Sequence, residues 1–103
     1  MGYRSRFDII ADMLNVASER AKKTRIMYQA NLSYRLLQKY LAELRHSCLV
    51  VYDRKGRCYV LTEKGRKFLI AYKEYSRRAV YVEKHLSHFK LEEKVLEELC
   101  AGK

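Results

Sequence analysis

Two helix signals separated by only two residues constrain this chain more than any other feature. Asn31 suits the left-handed position that ends a helix, and Ser33 caps a new amphipathic run that begins at Tyr34. A joint that short is the turn of a helix-turn-helix. Upstream, Thr24 is the expected cap of the first of the two helices, whose apolar side is Ile26, Met27 and Ala30. Downstream, Leu37, Tyr40, Leu41 and Leu44 make an apolar stripe over an expected helix from Tyr34 to His46. The other side of that helix carries Arg35, Gln38, Lys39, Ala42 and Arg45, so one side enters a core and the other stays free.

The flanking segments complete a head. Ser5 caps an opening helix from Arg6 to Ala17, with Asp8 at the capping-box position and Phe7, Ile10, Leu14 and Ala17 at helical spacing. Ser18 to Lys23 is a polar connector. Tyr28, Tyr40, Tyr72 and Tyr75 fall on apolar stripes and read as core or interface residues. After the third helix, Leu49 to Asp53 and Arg57 to Leu61 are rich in β-branched and aromatic residues and read as a strand pair. Arg54, Lys55 and Gly56 form the tip, with Gly56 expected to supply a positive φ. The fold class is therefore mostly α with a small β-hairpin: a winged helix-turn-helix head over residues 1–62.

Residues 63–103 read as a long dimerisation helix, opened by Thr62 as cap. Phe68, Tyr72, Tyr75, Ala79, Val82, Leu86 and Phe89 recur at spacings of four and three, a heptad seam held for three repeats. A helix from Glu63 to Phe89 is about 40 Å long, more than a three-helix head can cover. The surplus asks for a second copy of the chain, and the seven seam residues are the expected dimer interface. The next seam position is Glu93, and Leu91, Val95, Leu96 and Leu99 begin another stripe. A bend or break is expected near Ser87 to Lys90, ahead of an acidic C-terminal segment.

Charge indicates the ligand. The net charge is +10 over 103 residues. Residues 1–90 hold 20 Lys and Arg against eight Asp and Glu, and residues 91–103 hold two Lys against four Glu. Such a head suits a phosphate backbone, because bound Lys and Arg release condensed counterions. No apolar run approaches a membrane span, and no signal peptide is visible. These readings place the chain in the cytoplasm, at the nucleoid. Cys48, Cys58 and Cys100 form no CxxC pair, and His46, His85 and His88 are isolated, so no metal site is expected. An odd cysteine count leaves a disulfide between subunits open. No nucleophile stands beside a base and no Gly-rich phosphate loop occurs, so neither an enzyme nor a cofactor is expected.

The expected double-stranded DNA contacts follow from these elements. Arg35, Gln38, Lys39 and Ala42 present the side-chain types that read guanine, adenine and a thymine methyl in a major groove. Ser33 and Tyr34 lie where a helix N-terminus holds phosphate. Arg54, Lys55 and Arg57 crowd like charges at the hairpin tip, which makes more sense beside an anion than for stability alone. Lys22, Lys23 and Arg25 oppose the dipole of their own helix, a conflict that a phosphate removes. For each group the bland alternative is a solvated basic surface.

The runs TRIMYQANLSYRLLQKYLAEL (residues 24–44) and LTEKGRKFL (61–69) resemble the archaeal winged helix-turn-helix DNA-binding regulators. Among these the chain looks most like the small archaeal chromatin proteins that dimerise through an antiparallel coiled coil. The resemblance covers residues 5–75. It implies a homodimer that binds DNA as a transcription regulator or chromatin protein, without enzymatic activity; no small-molecule ligand is inferred from the sequence. An RNA-binding module, and an adaptor that recruits partners through the helical tail, are the competing readings.

Overall fold

A computed structural model describes residues 4–101. The outermost residues of the two expected domains, 1–3 and 102–103, lie outside it. The described chain runs α1 (Arg6–Ala17), α2 (Lys23–Gln29), α3 (Tyr34–His46), β1 (Val50–Asp53), β2 (Cys58–Leu61) and α4 (Glu63–Cys100). It divides into two compact units, with the boundary after Tyr72.

In the first unit, α1, α2 and α3 enclose one apolar core. Ile10, Met13, Leu14 and Ala17 of α1 meet Ile26 of α2, its C-cap Ala30, and Leu37, Tyr40, Leu41 and Leu44 of α3. Leu49, Val50 and Tyr59 of the hairpin close it. The apolar faces anticipated for α1 and α3 are buried except at Phe7, which is 42% exposed at the start of α1. Tyr28 is 77% exposed, because the short α2 turns only Ile26 fully inward, followed by its C-cap Ala30.

Capping explains most of the boundaries. The Ser5 hydroxyl accepts from the Asp8 amide and the Asp8 carboxylate accepts from the Ser5 amide, a reciprocal box that starts α1. Ser33 Oγ accepts from the Leu36 amide at 3.2 Å, and Thr62 Oγ1 accepts from the Gly65 amide at 2.9 Å. Thr24, however, is not a cap. α2 begins two residues earlier than such a cap implies, with Lys22 as N-cap and no side-chain bond to its free amides. The start is set instead by the connector, which is tied down beside it: Ala21 and Tyr59 exchange both backbone hydrogen bonds, at 3.1 and 2.7 Å.

The ends of α2 and α3 share one design. At α2 the Leu32 amide donates to the Met27 carbonyl and the Asn31 amide to the Tyr28 carbonyl, with Asn31 at φ 54°. At α3 the Leu49 amide donates to Leu44 and the Cys48 amide to Arg45, with Cys48 at φ 62°. Both are Schellman endings, built without glycine. Arg4 locks the first of them. Its guanidinium donates to the carbonyls of Ala30 and Asn31 at 2.6 and 2.8 Å and pairs with Asp12 on α1 at 2.8 Å. The four-residue joint, 30–33, is thus held at its carbonyls as well as by its own turn.

β1 and β2 pair antiparallel, with Val51 opposite Val60 and Tyr52 opposite Tyr59. At the tip no glycine has a positive φ; the left-handed residue is Arg57, at φ 52°. The Asp53 carboxylate accepts from the Lys55 amide, so an Asx turn sets the direction of the chain and moves the left-handed position past Gly56. A glycine is required instead at position 65, where a Cβ would strike the Leu49 carbonyl oxygen.

The opening turns of α4 belong to the first unit. Phe68 and Leu69 pack on its core, Phe68 lies 6.4 Å from the Phe7 ring, and the Tyr72 hydroxyl donates to Asp8. In the second unit α4 stays helical through Ser87–Lys90 to Cys100. The break expected there is absent, since neither Pro nor Gly interrupts the backbone bonds. Tyr75, Val82, Leu86 and Phe89 are all exposed along it.

Candidate nucleic-acid interface

α3 presents a polar face that takes no part in the core. Arg35, Gln38, Lys39, Ala42 and Arg45 are all turned away from the core, while Leu37, Tyr40, Leu41 and Leu44 anchor the opposite side. A helix pinned along one whole side keeps its other side rigid. The N-terminus of α3 is also open to solvent. Ser33 and Tyr34 are exposed there, and the amide of Leu36 is capped by Ser33. Lys23 reaches across from α2, with its ammonium 5.2 Å from the Tyr34 ring centroid. That contact joins the start of α2 to the start of α3.

The hairpin supplies a second group of cations. Arg54, Lys55 and Arg57 are exposed around the tip. Behind them Arg45 lies 5.9 Å from the Tyr52 ring, and Tyr52 packs against Tyr59 at 5.0 Å. The turn itself is braced by Arg20, which pairs with Asp53 where β1 enters the tip.

The distribution of ion pairs separates two classes of base. Between residues 4 and 72 there are six Asp and Glu, and each is engaged. Asp8 accepts from Ser5 and Tyr72. Asp12 pairs with Arg4, Glu19 with Arg25, Glu43 with Arg6, Asp53 with Arg20, and Glu63 with Arg66. Among the described residues none of these carboxylates forms an ion pair with Lys22, Lys23, Arg35, Lys39, Arg45, Arg54, Lys55 or Arg57; Asp53 meets Lys55 only at its backbone amide. The charges on α3 and the hairpin are left without internal neutralisation, and the field outside them is strongly positive. Arg25 is the one expected contact that the chain itself neutralises, through Glu19 at 2.8 Å.

The seven expected interface residues of α4 fall in two places. Phe68 and Tyr72 are half-buried within the first unit. Tyr75, Ala79, Val82, Leu86 and Phe89 are exposed in the second. The described cysteines are free, with Cys58 buried and Cys48 and Cys100 exposed. Among the described residues no group of His, Cys, Asp or Glu is placed to hold a metal ion, and no helix is long and apolar enough to cross a membrane.

Residues missed at the sequence level are the ones that hold the site in place. Arg4 and Arg20 read as surface charge, because their partners lie 8, 26 and 27 positions from Arg4 and 33 from Arg20. No local spacing connects them.

Comparison with known proteins agrees with this architecture. A family model described as winged helix-turn-helix matches residues 3–79. An uncharacterized protein of Methanocaldococcus jannaschii is 37% identical over 65 residues, a span that covers 62% of this chain and 65% of that protein. Among solved structures, Sso10a-2, a DNA-binding protein from Sulfolobus solfataricus, has a TM-score of 0.68. It is 24% identical, with 97% of this chain and 100% of that one covered. At that identity the likeness is one of fold.

Proposed function

Because the chain belongs to the winged helix-turn-helix family, we propose that it binds double-stranded DNA as a homodimer, with α3 in the major groove and the hairpin on the backbone. The observation that carries this reading is the segregation of charge. All six carboxylates of residues 4–72 are engaged elsewhere, and the bases of α3 and the hairpin tip are left without a carboxylate. Such bases lower the free energy of a polyanion that replaces their counterions. Arg35, Gln38, Lys39 and Ala42 are the residues that meet base edges. Ser33, Tyr34, Lys22, Lys23, Arg54, Lys55 and Arg57 hold phosphates, and Arg25 joins them once it gives up Glu19.

The dimer forms through Tyr75, Ala79, Val82, Leu86 and Phe89 of two α4 helices. A helix seam of exposed apolar residues at heptad spacing is stable only when covered. The protein acts as a regulator of transcription or as a chromatin component at the nucleoid, by binding and without a catalytic step. Sso10a-2 of the same fold is a DNA-binding protein, which favours the same polymer here. Competition between duplex DNA, single-stranded DNA and double-stranded RNA for the full chain is the test. Duplex DNA should compete best, by at least about tenfold. Preference for double-stranded RNA would reject the reading in favour of an RNA-binding module.

A further inference from the structure

The last turns of α4 carry apolar residues that the seam does not use. Tyr75, Ala79, Val82, Leu86 and Phe89 share one face of the helix, and Leu91, Val95 and Leu99 follow at spacings of four. At 3.6 residues per turn the second set lies roughly 160° around the helix from the first. A copy seated on the seam leaves it in water. Leu91, Val95 and Leu99 are 63, 54 and 78% exposed.

Traced back along the helix, the same face changes character. Lys73, Arg77, Tyr81 and Lys84 stand at the azimuth of Leu91 and Val95, with Val80 beside them. Val80 and Tyr81 are exposed, and Tyr81 stacks on His85 at 4.0 Å. Residues 73–90 hold five Lys and Arg against two Glu, one of which, Glu74, is taken by Arg77. Residues 91–100 hold four Glu and one Lys. Glu97 and Glu98 also close a helix whose last turn has no basic residue. A helix C-terminus repels carboxylates, so this turn has the wrong sign for its own dipole. Cations from elsewhere would remove the conflict.

We propose that this second face is a self-complementary docking surface for a further copy of the chain, laid antiparallel, so that the protein assembles beyond a dimer. When Tyr81 is set against the partner's Val95, the same register brings Lys84 to the partner's Glu92. The contact is isologous, so each pair occurs twice. Apolar residues at both ends are covered, and both acidic ends lie on basic stretches. The surface stands on residues 73–100 alone and does not depend on the seam. With the seam on the opposite side, it leads to tetramers and longer assemblies.

Sedimentation of the full chain across micromolar concentrations tests this, with circular dichroism to check helicity. The wild type should reach a tetramer or larger. Leu91→Glu with Val95→Glu should stop at a pair. Val82→Glu should leave a pair held by the second face, and all three substitutions together should give monomer. A charge exchange tests the register. Lys84→Glu should weaken association by roughly fivefold to tenfold, and adding Glu92→Lys should restore it. A wild type that stops at a pair, abolished by Val82→Glu and untouched by Leu91→Glu with Val95→Glu, would overturn the proposal while sparing the seam. Val82→Glu without effect would reject the seam and leave this surface standing. Failure of Glu92→Lys to restore the Lys84→Glu variant would overturn the antiparallel pairing.

Discussion

Two hydrogen bonds converge on the Asp8 carboxylate, from the Tyr72 hydroxyl and the Ser5 amide. Both favour the ionised form. They hold its pKa below the ordinary 3.8, the Tyr72 bond contributing most and the Ser5 amide next. A carboxyl with a depressed pKa contributes stability above its unfolded value and loses it as pH falls through the folded one. Tyr72→Phe should therefore raise the Asp8 pKa toward 3.8 and destabilise the head by about 0.5–1.5 kcal/mol at neutral pH. The gap between variant and wild type seen at neutral pH should close once pH has fallen below the folded Asp8 pKa. Carboxyl titration by NMR, with urea unfolding at both pH values, measures this; an equal gap at the two pH values would assign the loss to packing. Arg35 makes a separate case at the same scale. It is exposed on α3 and no carboxylate among the described residues pairs with it. If it reads a base, Arg35→Ala should cost roughly 1–3 kcal/mol on a preferred site and much less on random duplex. Equal losses in a titration of both would make it a backbone contact and favour general coating of DNA.

At the scale of elements, the hairpin divides its charges by role. Arg20 pairs with Asp53 and braces the turn, while Arg54, Lys55 and Arg57 are exposed at the tip. Changing those three to Ala should weaken binding to every duplex alike. The slope of log affinity against log salt should fall by about 0.9 for each phosphate deprived of its cation. Binding isotherms across a salt series decide it, and an unchanged slope would remove the tip from the interface. α2 and α3 are legible as elements, because Asn31 and Ser33 carry their turn chemistry in their own side chains. The left-handed residues Cys48 and Arg57 are not legible. Neither is a turn former, and each adopts that conformation because the helix end or the Asp53 turn beside it prescribes the path.

For the whole molecule, the seam predicts the assembly. Val82 lies near the middle of Tyr75 to Phe89, so Val82→Glu places two carboxylates close together across an antiparallel two-fold axis. Sedimentation should show loss of the seam dimer, and wild-type protein that is monomeric at micromolar concentration would refute the pairing. Two heads joined in this way should also prefer half-sites near one or two turns of DNA apart. A footprint that ignores half-site spacing would mean that the heads bind independently and that the dimer bridges duplexes.

Periodicity and capping residues alone determined the element order, the buried faces of α1 and α3, the short joint between α2 and α3 and the heptad run of α4. Those properties depend on neighbours within a turn or two, which the chain displays directly. Tertiary structure decided which charges remain available. Arg4, Arg6, Arg20 and Arg25 have the same composition-level appearance as Arg35 and Arg54, yet packing brings each of the first four to a carboxylate. It likewise turned Tyr28 outward and drew Phe68 and Tyr72 from the expected seam into the head. Ion pairs and ring contacts form between residues distant in sequence, so their partners exist only once the helices have packed.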